Sequence, residues 1–183
     1  MTKKSESGFS YIDVMIALVI LMVGILALLA AISASVLQAR GQEQQLLAKQ
    51  VATSTMESIM SVKETDPTRL GWPAVGMVGT NPNSAGVNQG IFVAGAQPVQ
   101  LDAGPDEVIG TADDTGTVVT GLNRQIVITD ICDPERPSPV ICSPAGTSAV
   151  RFRSVVVTVT YFVGKFQRQE VLTTVLTDYS STN

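Results

Sequence analysis

Histidine is absent from this 183-residue chain, aromatic residues make up 5% of it, and there is a single tryptophan. Without histidine, most general-base, metal-ligand and triad chemistry loses its commonest participant. Cysteine is nearly as scarce. Cys132 and Cys142 are too few for a zinc site without histidine, and their spacing is not that of a CxxC redox pair. Charged residues are only 15% of the chain and sum to −4, which argues against general electrostatic attraction to nucleic acid. No nucleophile–base pair, glycine-rich phosphate loop or carboxylate dyad stands out, so neither an enzyme nor a bound cofactor is expected.

What the chain does have is one long apolar run. From Val14 to Ala39, about 26 residues pass without a charge, and a helix needs roughly 20 to cross a bilayer. A buried helix of a large soluble core is the alternative, but the rest of the chain is small for wrapping such a helix. A secretory signal would place its cleavage site after the apolar stretch. Here Lys3 and Lys4 are followed by Ser-Glu-Ser-Gly and only then by the apolar residues. A cut at Gly8 would leave the whole hydrophobic helix on the mature protein. The two lysines would hold the N-terminus in the cytoplasm and send the C-terminal part outward.

At Gly8-Phe9-Ser10-Tyr11-Ile12-Asp13, followed by Val14-Met15-Ile16-Ala17-Leu18-Val19-Ile20-Leu21-Met22-Val23-Gly24, the chain resembles the type IV pilin family. It looks closest to the PilV-like minor pilins, or type IV pilus modification proteins. The resemblance implies a leader over 1–8, cleavage between Gly8 and Phe9 by a prepilin peptidase, and N-methylation of Phe9. It also implies an assembly role for Asp13, which stands where the family carries glutamate. That carboxylate would face the N-terminal amine of a neighbouring subunit and so be retained inside an apolar fibre core. Aspartate keeps the charge and loses one methylene of reach. The alternative is a boundary residue reaching toward the headgroups.

Residues 9–39 read as the hydrophobic transmembrane helix. Beyond it, Leu47, Val51, Met56 and Ile59 recur at spacings of three to five, with Met60 next to the last of them, within 40–65, an amphipathic stripe suited to packing on a sheet. Gly24 and Gly41 are the soft points of this helix, since glycine costs about 1 kcal/mol against alanine there. Asp66-Pro67 ends the pattern. Residues 66–121, rich in glycine and proline, read as a long connection with short strands at Gly90–Ala94 and near Thr117–Val119. Over 122–183 the β signal is clear: Arg124–Thr129, then Ser154–Val163 and Phe166–Leu176 about a Gly164-Lys165 turn. The expected fold is therefore α+β, a long N-terminal hydrophobic helix, transmembrane then amphipathic, lying on a C-terminal antiparallel sheet. This also resembles the pilin head.

Three side-chain groups invite a site. Asp102, Asp106, Glu107, Asp113 and Asp114 place five acids among turn residues. They could supply oxygen ligands to calcium, although the spacing is not that of an EF-hand and a solvated acidic turn is the favoured reading. Cys132 and Cys142 bracket a proline-stiffened loop. Outside the cytoplasm a disulfide is the default, worth about 2 to 3 kcal/mol for a loop of this size. Arg151, Arg153, Lys165 and Arg168 fall near the hairpin ends, where basic residues block edge-to-edge aggregation more often than they meet phosphates.

Together these features predict a structural minor pilin of a type IV pilus, anchored once in the inner membrane with its C-terminal domain outside the cytoplasm. Its partners would be other pilin subunits and the prepilin peptidase. A type II secretion pseudopilin, ending in a periplasmic fibre, and a DNA-binding competence pilin are the two alternatives.

Overall fold

The computed structural model describes residues 10–65, 70–131, 150 and 152–178. Its first element is the helix α1, Tyr11–Glu64. A 3-10 turn follows at Trp72–Ala74, and then four strands: β1 Ala96–Asp102, β2 Thr115–Ile131, β3 Phe152–Val163 and β4 Phe166–Thr177. The chain divides into two compact units, one ending at Gln42 and one beginning at Glu43.

In the first unit α1 is apolar and solvent-facing. Its N-terminal part is long and apolar enough to cross a membrane, and residues such as Ile20, Met22 and Leu28 are about two-thirds exposed. No fold-internal partner covers this surface among the described residues. Gly24 sits in unbroken helix with open space around its Cα.

The second unit is an antiparallel sheet in the order β1-β2-β3-β4, covered on one face by the last turns of α1. The pairing is regular from β2 to β4: Ile126 lies opposite Val157, and Val157 opposite Leu172. Period-two alternation therefore puts Leu122, Arg124 and Ile126 of β2 on the same face as Val155, Val157, Val159 and Tyr161 of β3. Gly164 and Lys165 form the two-residue turn between β3 and β4, with Gly164 at φ 62° as such a turn requires.

The face α1 presents differs in part from the stripe expected. Met56 and Ile59 are buried, but Leu47 and Met60 are 38% and 40% exposed, and the contact is completed by Ala48, Ala52, Thr55 and Val62. Small residues at 48 and 52 let the helix backbone approach the sheet closely, so packing selects them over the larger neighbours. Fully burying Ile59 and Val62 contributes about 1.5–3 kcal/mol each. Thr55, with no exposure, satisfies its hydroxyl by donating to Val51 O at 2.8 Å.

Over residues 70–121 the chain is more ordered than its composition suggests. β1 carries a proline and little alternation, yet it pairs with β2 through Ala96–Gln125 and Gln100–Val118, with register shifts on either side of Gln100. β2 begins at Thr115, so the sheet starts before 122. Phe92, fully buried, bridges to Met77 and anchors the intervening loop in the core.

Candidate functional site

The N-terminal turn of α1 is built by Ser10 and Asp13. Ser10 O accepts from the backbone N–H of Asp13 at 3.0 Å and of Val14 at 3.4 Å, while Asp13 Oδ2 accepts from the Ser10 N–H at 3.3 Å. A side chain at the third helical position reaching back to the N-cap amide is half of a capping box. It also places negative charge at the positive end of the helix dipole. The Ser-x-x-Asp spacing carries that signal in the sequence itself. Asp13 thus has a local role in the isolated chain, and its charge sits at the start of the apolar surface. Gly8 and Phe9, the expected cleavage and methylation positions, lie outside the described residues, as do Cys132 and Cys142 and hence the expected disulfide.

The acidic loop is organised by its own backbone. Asp102 Oδ1 accepts from Gly104 N at 3.1 Å, and Asp106 Oδ1 from Val108 N at 2.8 Å. Asp113 accepts from the Asp106 amide and, at 2.6 Å, from the Thr111 hydroxyl. Asp114 takes the Gly110 N–H at 3.0–3.1 Å and pairs with Arg124. These carboxylates are thereby turned toward separate amides, and no three acidic, histidine or cysteine side chains converge on one point among the described residues. Glu107 has φ 59° and is exposed. Burial raises the Asp106 pKa above its ordinary value, against the pull of the Val108 N–H, and the Asp113 charge adds to the rise. The Thr111 hydroxyl lowers that of Asp113.

Two arginines that composition alone treats as surface charge are internal. Arg124 is 3% exposed and donates through Nη2 to Asp114 Oδ2 at 2.5 Å. Arg153 is 4% exposed. Its Nε donates to Asp130 Oδ1 at 3.0 Å, its Nη1 to the carbonyls of Trp72 and, at 2.7 Å, Val75, and its guanidinium lies 4.4 Å above the Trp72 ring. The Trp72 indole N–H donates in turn to Val150 O at 2.9 Å. This clamp fixes the loop after α1 to the start of β3. Burial lowers the Arg153 pKa, with Asp130 opposing.

The basic group at the hairpin ends is accordingly not one patch. Arg153 is at one end of β3 and faces inward, whereas Lys165 and Arg168 are exposed at the turn end. A 12-residue strand separates the two ends, roughly 40 Å at about 3.3 Å per residue. Arg151 lies outside the described residues. The signal for the inward arginines is legible afterwards in the alternation: Arg124 falls in phase with Leu122 and Ile126, and an arginine on a core face requires a partner.

Comparison of the chain with models of known protein families, with characterised proteins and with solved structures found no match.

Proposed function

We propose that the protein is a structural minor pilin of a type IV pilus, cleaved between Gly8 and Phe9, N-methylated at Phe9 and assembled through its N-terminal helix. The observation that carries this reading is the 26-residue uncharged run of α1, exposed along its length and preceded directly by Asp13 on the first turn. A helix with that much unpartnered apolar surface calls for lipid, for other helices, or for each in turn. A carboxylate at its start gives a register point for a cationic group of a neighbouring subunit. The amphipathic continuation of α1 on a four-stranded sheet supplies the head such a subunit needs.

Mass analysis of the N-terminal peptide from membrane material tests the processing. It should begin at Phe9 and carry one added methyl group. An intact leader, or cleavage after Ala30 or Ala31, would overturn the assignment. Asp13→Asn tests the assembly role, because the amide oxygen still caps Ser10 while the charge is gone. Sheared-fibre fractions should contain little of this variant, about as little as of Asp13→Ala, whereas Asp13→Glu should match or exceed the unmodified chain. Normal incorporation of Asp13→Asn would reduce the residue to a helix cap.

A further inference from the structure

Every second residue of β2 from Asn123 to Ile131, of β3 from Phe152 to Phe162 and of β4 from Gln167 to Thr177 points to the side of the sheet away from α1, as the pairing of Val127 with Val156 and of Val156 with Thr173 fixes. None of these residues is charged. The charged residues of the same stretches, Arg124, Asp130, Arg153, Arg168 and Glu170, all alternate to the side that carries the helix. A sheet face left to water normally takes the polar and charged half of the alternation. This one instead shows Val127, Phe162, Val171 and Val175 at 41–53% exposure, and no element covers them among the described residues.

The side chains between the apolar ones narrow what fits this face. They are threonine, serine, asparagine and glutamine, with Thr129 beside Ser154 and Gln125 beside Thr158. Each of these types both donates and accepts, so it can pair with its own kind. A twofold contact sets a patch against itself, and a charge near the axis would then meet its like. With a net charge of −4 the chain repels its copies, yet this face brings no like charges together. Its size also suffices. Three strands about 4.8 Å apart and about ten residues long, at about 3.3 Å per residue, make roughly 500 Å² in plan. Two copies together cover roughly 1,000 Å², where specific interfaces begin. Stacking such faces about 10 Å apart is the packing of a β-sandwich. We propose that the outward face of β2, β3 and β4 is a docking surface for a second copy of this chain, stacked sheet on sheet. The contact is independent of the function read from the N-terminal helix.

Light scattering from the full-length protein in detergent micelles, with the micelle mass subtracted, gives the test. At micromolar concentration the protein mass should be twice that of the chain. Val127→Lys and Val171→Lys, which place a cation on each facing copy, should each weaken the dimer at least tenfold while circular dichroism stays that of the unmodified chain. Val87→Lys, at a residue 59% exposed in the loop before β1, should leave the mass unchanged. A sample mixed from differently methyl-labelled copies needs no substitution, and NOEs between copies are expected at the methyls of Val127, Val156 and Val171. A monomer would defeat the proposal, as would a dimer that survives both lysine variants because it forms through α1 or shared detergent. So would dissociation by Val87→Lys as complete as by the face variants, or the absence of NOEs between copies at those methyls.

Discussion

Arg153→Met offers a direct measure of what holds the head together. Methionine roughly preserves the length of the buried stem and removes every polar contact of the guanidinium. Three acceptors then lose the guanidinium: the Trp72 carbonyl, which keeps the Val75 N–H at 3.2 Å, the Val75 carbonyl, which keeps the Asn81 side-chain amide at 3.5 Å, and Asp130, whose side chain is 33% exposed. Hydrogen bonds to a charged group are worth about 1.5–3 kcal/mol each, and the stack on Trp72 adds about 0.5–2 kcal/mol. These figures do not simply add, and water can rescue Asp130. The measured cost of breaking a buried pair, about 3–5 kcal/mol, is the better guide. At about 2–4 °C per kcal/mol for a unit of this size, the midpoint of thermal unfolding should fall by roughly 10 °C. Trp72 is the sole tryptophan, so its fluorescence in micelle-embedded protein reports on the clamp itself. Its emission should shift in the folded state before any global transition. Arg153→Lys, which keeps charge and loses the fork, should fall between. A loss below about 1 kcal/mol with unchanged Trp72 emission would refute the clamp as a stabilising element.

Asp106→Asn should raise the melting temperature at pH 7, because the amide oxygen still accepts the Val108 N–H while the desolvated charge is removed. A carboxyl whose folded pKa is raised binds more protons folded than unfolded between its ordinary 3.8 and the raised value. Its cost to stability is therefore fully present above that window and gone below it. The advantage of the variant should disappear by about pH 3, and melting curves at the two pH values check the sign. Gly104→Ala should destabilise by about 2 kcal/mol or more, since φ is 71° and a Cβ would lie 2.2 Å from the Asp113 carbonyl oxygen. Urea denaturation is the measurement, and a neutral result would mean the loop relaxes freely. Thiol labelling of non-reduced protein purified from the periplasmic or membrane fraction should find no free thiol at Cys132 or Cys142. Two reactive thiols there would remove the bridge and count against an outward-facing head.

The elements with a strong local signal were legible in the chain by itself. The apolar run of α1, the helix stop before Pro67, and the β3–β4 hairpin about Gly164-Lys165 each follow from periodicity and turn chemistry over ten or more residues, which no distant contact has to supply. The Ser10–Asp13 cap has an equally local cause, its partners being three residues apart, but the sequence by itself reads Asp13 as an assembly or boundary residue, and the cap emerged only with the structure. β1 was not legible: a seven-residue strand containing Pro98 shows little alternation and exists because β2 offers it an edge. Tertiary packing also chose Ala48 and Ala52 over Leu47 and Met60 for the face of α1, since closeness to the sheet rewards small side chains that hydropathy undervalues. Most of all, it decided the fate of charge. Arg153 and Arg168 are the same residue type in one hairpin, yet one is enclosed by Trp72, Val75 and Asp130 and the other faces solvent. Arg124 meets Asp114 only because β2 passes under the acidic loop. Composition counts those charges, but their pairing depends on which strand faces the core, and that is settled when helix and sheet close on each other.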